Sequence, residues 1–228
     1  MSRVRDPVVE PRSAASLAAF RGLAVVARGV TRMYWRLEVI GGSRVPATGA
    51  FVVAPVHRSN LDFLLAGLAV GRPVRYMAKS SVFVGGIADR FLHAMGAFPV
   101  ERDSADFKAI RRCEQILAGG EPVVVFPEGR RKEGPIVKDL YDGPAFMAAR
   151  QRVPIVPVGI GGSADAMPIG QKAILPRKVV LVVGEPIYPD VPTEGRIARS
   201  AVSELTATLR DAVQDVYDDA QCRAGARH

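Results

Sequence analysis

Residues 51–70 read FVVAPVHRSNLDFLLAGLAV: an apolar run of strand length, a short polar turn, and an apolar stretch of helix length. FVVAPV has the unbroken apolar character of a strand covered on both faces. Ser59 or Asn60 suits a helix N-cap, and LDFLLAGLAV then continues as a helix with Asp62 in its first turn. The turn puts His57 at the carboxyl end of the strand, where open α/β sheets place their ligands. Asp62 can reach back to it. A histidine whose second ring nitrogen is held by a carboxylate has a fixed tautomer, and its free nitrogen can take a proton from a hydroxyl near neutral pH. The spacing alone is common, because the helix dipole favours an Asp in a first turn whatever its neighbours do.

From residue 50 apolar runs alternate with helical segments. FVVAPV, PVRYMAK, AFPVE, PVVVFP, VPIVPVGIG and VVLVVG are the expected strands. LDFLLAGLAV, GIADRFLHAM, SADFKAIRRCEQILAGG, GPAFMAARQR and a long amphipathic segment from Thr193 to Gln221 are the expected helices. The pattern predicts an α/β fold, a single domain with a mixed, mostly parallel sheet flanked by helices. An N-terminal amphipathic segment, residues 1–40, precedes the domain proper, residues 41–228. No linker rich in Pro, Gly or Ser divides the 228 residues, and no repeat is present.

The apolar fraction of 48% and charged fraction of 24% are those of an ordinary globular protein, which excludes general disorder. A formal net charge of +8 calls for an anionic partner: a phospholipid surface, a phosphorylated substrate or nucleic acid. No nucleic-acid recognition motif or aromatic-studded basic strand is present, so nucleic acid is the weakest of the three. Cys113 and Cys222 make no disulfide framework and fit a reducing, cytoplasmic setting. The first residues lack the apolar core of a secretory signal. No apolar stretch reaches the roughly 18 to 20 residues that a bilayer crossing needs. On a helical wheel of residues 13–37, Arg21, Arg28, Arg32 and Arg36 fall on one side, and Leu23, Val26, Val30, Met33, Tyr34 and Leu37 roughly opposite. Two readings stand: a helix in the membrane interface, or one packed on the core with its arginines outward.

Three further segments carry chemistry. GAFPVER, residues 96–102, ends in Arg102; VVVFPEGRRK, residues 123–132, brings Glu128, Gly129, Arg130, Arg131 and Lys132 to the end of a strand; VPIVPVGI follows at residues 153–160. Arginine can grip phosphate oxygens bidentately, and Gly129 lets backbone N–H groups approach a ligand closely. The bland alternatives are a solvated charge run at 130–132, a helix cap or an ion pair with Arg102 for Glu128, and a turn and a core side chain at Gly96 and Phe98.

These blocks, in this order behind HRSNLD, resemble the glycerolipid acyltransferases, the lysophosphatidic acid and glycerol-3-phosphate acyltransferases, over about residues 45–190. The resemblance implies His57 as general base with Asp62 holding it. Gly96, Phe98 and Arg102 match the second block, and Glu128, Gly129 and Arg131 the third, both used to bind the acceptor. Lys79 in RYMAKSSVF matches a lysine found between the first two blocks. Arg130 stands where a small residue is usual, and Tyr141 where lysophosphatidate enzymes carry a lysine, so Arg130 is expected to replace that charge. The implied reaction moves a fatty acyl group from an acyl-CoA or acyl carrier protein thioester to a lysophosphatidate hydroxyl. HRSNLDFLL and GAFPVER lean instead toward glycerol-3-phosphate, and a non-catalytic lipid-binding protein is the alternative from another class. Leu64, Leu65 and Phe83 are expected to line the acyl slot. Cys113 shares a helix face with Ile110 and Leu117 and reads as core, and His93 has no carboxylate at the right offset. There is no GxSxG turn, no phosphate loop and no metal-ligand spacing. A direct transfer without cofactor or metal, on the cytoplasmic face of the membrane as a peripheral protein, is the expectation.

Overall fold

The computed structural model describes residues 14–80, 83–86, 89, 92, 96–100, 107–171, 173–192 and 195–226. In chain order the elements are α1 (Ala14–Tyr34), β1 (Glu38–Ile40), β2 (Val52–Pro55), α2 (Asp62–Val70), β3 (Arg75–Lys79), β4 (Ala97–Val100) and α3 (Phe107–Ala118). There follow β5 (Val123–Val124), α4 (Gly143–Gln151), β6 (Ile155–Gly161), the single-turn α5 (Ser163–Ala166), β7 (Val180–Val183) and α6 (Arg199–Ala224). The strands form one sheet in the order β1-β7-β6-β2-β5-β3-β4. Every pairing is parallel except that of β6 with β7.

All six expected strands are present, and β2 sits between β6 and β5 with each of its residues buried. That burial is why its sequence is apolar throughout rather than alternating. The seventh strand, β1, was not expected. Its residues Glu38 and Val39 are exposed and Ile40 is half-buried, so an edge strand of this kind has no hydrophobic pattern to read. The expected helix at GIADRFLHAM, with His93, falls mostly outside the described residues.

Among the described residues the most extensive packing between elements is that of α6 along β6. Gly159 and Gly161 are two residues apart and share a strand face. A Cβ on Gly159 would stand 2.0 Å from the carbonyl oxygen of Val216, and one on Gly161 would stand 2.1 Å from that of Ala220. Val216 and Ala220 are themselves one helical turn apart. The two glycines therefore let a helix backbone rest directly on a strand backbone. Val213 and Tyr217, both buried on α6, fill the space beside them.

At the other end of the chain, α1 packs through neither of the two faces seen on the wheel. Phe20, Ala27 and Thr31 form the inward seam, a third and narrower face between them. Arg28 Nη2 donates to Leu68 O at 3.0 Å, satisfying a carbonyl in the last turn of α2. The large apolar side chains point outward, with Val26 62%, Val30 59% and Met33 87% exposed. Just past the helix Trp35 and Leu37 enter the core, and β1 pairs with β7. A boundary at residue 40 thus cuts through shared core and shared sheet. Among the described residues no helix is long and apolar enough to cross a membrane.

Gly159→Ala should cost about 3 kcal/mol or more, because backbone atoms on both sides cannot yield to the added methyl. Gly22→Ala in α1, where a Cβ meets nothing within 4 Å, should leave stability unchanged or raise it. Urea unfolding of both variants checks the contrast.

Candidate active site

The parallel strands deliver their carboxyl ends to one rim, and the turn leaving β2 carries the histidine. His57 Nδ1 lies 3.2 Å from Asp62 Oδ2, and the Asp62 side chain has no exposure. With the proton on Nδ1, the tautomer an ionised carboxylate requires, Nε2 is left as a free base. The same Asp62 oxygen accepts the backbone N–H of Arg58 at 2.5 Å and of Ser59 at 2.6 Å. One carboxylate therefore shapes the turn and orients the ring. The regular helix begins at Asp62 itself, with Leu61 in the cap position and no side-chain cap. Ser59 serves one step earlier, where its Oγ accepts the Leu61 N–H and donates to Met167 O. The imidazole also stacks on the Phe126 ring, with centroids 4.0 Å apart and planes 27° apart.

Glu128 is the second buried carboxylate of the site. Its Oε2 accepts the His57 N–H at 3.2 Å and Arg58 Nη1 at 2.6 Å. The side chains of Arg58 and Glu128 are 2% and 0% exposed. Arg58 further donates to His57 O, Gly134 O and Ile136 O, and its guanidinium lies 5.0 Å from the Tyr217 ring centroid. Burial pushes the Tyr217 phenol up, with Arg58 acting in the opposite sense. Through Oε2, Glu128 thus ties the turn that carries His57 to the loop after β5. Its cation among the described residues is Arg58, and the Arg102 considered from sequence lies outside them.

The loop after β5 completes the rim. Lys132 N donates to His57 O at 3.0 Å, so the Arg130–Lys132 run lies alongside the histidine backbone. Arg130 is exposed, and Arg131 and Lys132 are half-buried. Among the described residues these three side chains have no hydrogen bond or ion pair. Gly129 adopts φ 68°. A Cβ there would stand 2.6 Å from Tyr141 Cε2, so its lack of a side chain accommodates the tyrosine ring. The left-handed backbone at this position favours glycine in any case.

Other expected residues are placed differently. Gly96 precedes β4, at the amino end of the strands, with φ 86° and its carbonyl accepting the Tyr76 N–H. His57 leaves the opposite end, so Gly96 is a turn glycine outside the site. Phe98 is core, under the Arg112 guanidinium. Lys79 ends β3, on the same rim as His57, and its side chain lies outside what is described. Arg102 lies outside the described residues altogether. Leu65 is fully buried and lines no open slot, whereas Leu64 and Phe83 are half-buried against the core. Burial pushes the Cys113 thiol up to about 12, which leaves it a poor nucleophile. Arg58 and Phe126 were missed. Both lie inside the quoted segments, and nothing local marks an arginine as buried or a phenylalanine as stacked on a histidine 69 residues away.

With this geometry in place, the comparisons are informative. A family model described as Acyltransferase matches residues 36–161. The chain is 28% identical over 167 residues to the 1-acyl-sn-glycerol-3-phosphate acyltransferase of Bacillus subtilis, covering 71% of this chain and 81% of that one. It is 26% identical over 159 residues to a chloroplastic enzyme of the same description from Brassica napus, covering 68% of this chain but only 46% of the plant one. The crystal structure of the 1-acyl-sn-glycerophosphate acyltransferase PlsC from Thermotoga maritima superposes with a TM-score of 0.75 at 22% identity, over 94% of this chain and 85% of that one.

Replacing Arg58 by Met strands Glu128 as a buried charge, and should cost about 3–5 kcal/mol in urea unfolding. Adding Glu128→Gln should recover a measurable part of the loss, since the stranded charge is then gone. A single-variant cost below about 1 kcal/mol would show that the pair does not hold the two loops.

Proposed function

Because the chain belongs to the acyltransferase family, we propose that it moves a fatty acyl group from an acyl thioester to the free hydroxyl of a lysophosphatidate. The observation carrying this reading is the His57–Asp62 pair at 3.2 Å, set on the strand rim beside the Arg130–Lys132 run. His57 Nε2 takes the hydroxyl proton as the acceptor oxygen attacks the thioester carbonyl. Asp62 stabilises the positive charge that the ring then carries. Collapse of the tetrahedral intermediate breaks the carbon–sulfur bond, and the proton returns from His57 to the leaving thiolate. No covalent enzyme species forms, in keeping with the inert Cys113.

Arg131, Arg130 and Lys132, lacking partners among the described residues, are suited to the acceptor phosphate, with Lys79, at the end of β3, and Arg102 as further contributors. Glu128 acts through Arg58 as a positioning residue. The donor is an acyl-CoA or an acyl carrier protein thioester. The protein works as a peripheral protein on the cytoplasmic face of the membrane, held by the outward face of α1. The exposure of Val26, Val30 and Met33 beside Arg32 supports that placement.

His57→Ala should lower thiol release from palmitoyl-CoA by about 10³-fold or more in the presence of lysophosphatidate, with the far-ultraviolet circular dichroism unchanged. Retained turnover would overturn the mechanism. Mass spectrometry of products from glycerol-3-phosphate beside several lysophospholipids assigns the acceptor; acylation of glycerol-3-phosphate alone would favour the alternative.

Val30→Asp with Met33→Asp alters exposed positions only. This double variant should be released from vesicles containing phosphatidylglycerol in a sedimentation assay, and unchanged sedimentation would remove α1 from the membrane reading.

A further inference from the structure

The segment joining α5 to β7 displays two apolar side chains that neither the catalytic pair nor the cationic run employs. Ile169 is 38% and Ile174 45% exposed. They are not exposed through slackness, because the backbone around them is tied at both ends. On one side Tyr34 Oη donates to Ile174 O at 2.8 Å and Trp35 Nε1 donates to Leu175 O at 3.1 Å, joining the segment to the end of α1. On the other, Ser59 Oγ donates to Met167 O at 2.8 Å, joining it to the turn that carries His57. Leu175 N donates to Ala166 O at 2.8 Å and closes the segment on itself. It therefore spans the distance from the membrane-facing helix to the catalytic turn.

Its margin is cationic. Trp35 O accepts the Val179 N–H, so residues 35–37 run beside residues 177–179. Arg36, turned by its φ of 48°, and Arg177 are both exposed along this junction, and Arg32 is exposed one turn earlier on α1. Apolar side chains edged by guanidinium groups match the boundary of an anionic bilayer, where the first enter the acyl region and the second remain with the phosphates.

We propose that Ile169 and Ile174 make a second membrane contact, forming with the outer face of α1 one docking face for an anionic bilayer that reaches the edge of the catalytic turn. The inference rests on the reading that the protein works at a membrane surface. A lipid acceptor would then meet His57 without first leaving the bilayer.

The test uses the full chain in a Cys222→Ser background, Cys113 being buried and unreactive. Ile174→Cys is labelled with an environment-sensitive fluorophore and mixed with vesicles of phosphatidylcholine containing phosphatidylglycerol. Emission should rise several-fold, shift to the blue, and be quenched by lipids spin-labelled in the acyl chain. A label at Tyr188→Cys, which is 69% exposed at the opposite end of the strands, should not respond. A silent Ile174 label on protein that co-sediments with the vesicles overturns the proposal. So does a change seen on concentrating the protein without lipid, which would assign the face to a second copy of the chain.

In Ile169→Asp/Ile174→Asp, the ratio of turnover on vesicle-embedded to monomeric short-chain acceptor should fall roughly tenfold. An unchanged ratio counts against the element. The fluorescence arm needs no turnover, so a failure of the catalytic reading leaves the membrane result intact and distinguishable.

Discussion

One buried ion pair organises the site. Arg58 and Glu128 are 70 residues apart in sequence and meet at 2.6 Å in the interior. Through them the turn after β2 and the loop after β5 become a single piece. The guanidinium distributes its donors between the Glu128 carboxylate and three backbone carbonyls, so nearly all its hydrogen-bonding capacity is met inside the protein. A buried charge pair seldom adds much net stability, but removing one partner is costly. Its value here is positional, since His57 sits on one loop and the Arg130–Lys132 run on the other.

The same economy governs the charges around the histidine. Asp62 Oδ2 accepts from the ring and from two backbone N–H groups, while Glu128 Oε2 accepts from the backbone N–H of His57 and from Arg58. Each carboxylate leaves its second oxygen without a partner among the described residues. Two buried carboxylates face one buried arginine, so a proton arriving on His57 brings this enclosed group of four toward neutrality. That arrangement would favour the imidazolium that the proposed transfer calls for. Phe126, stacked on the ring, restricts its rotation from the remaining side.

Much of this was legible in the residues, and the exceptions have physical causes. β2 and β6 were readable because strands buried on both faces are apolar at every position. β1 was not, because an edge strand with exposed side chains has no such pattern. The His57–Asp62 pair was readable because both partners lie within one turn. Arg58 was not, because its partners come from distant loops and a buried arginine looks locally like a surface one. The outward apolar face of α1 was visible on the wheel, but its inward seam was hidden, since beside the single Phe20 it is made of Ala27 and Thr31, which leave little hydrophobic signal. Gly96 was misplaced because block order along a chain does not say which end of a strand a residue occupies.

The backbone-on-backbone seat of α6 bears on how the chain is made. Tyr217 of that helix lies under the Arg58 guanidinium, and Gln214 holds Val137 N and Pro135 O in the loop after β5. Residues 57–132 carry the candidate site, yet their framework is braced by residues synthesised some eighty positions later. A ribosome that has released only the first two hundred residues has produced the reactive side chains without their support. The brace and the groups it steadies are thus separated in time as well as along the chain, and meet only once α6 has emerged.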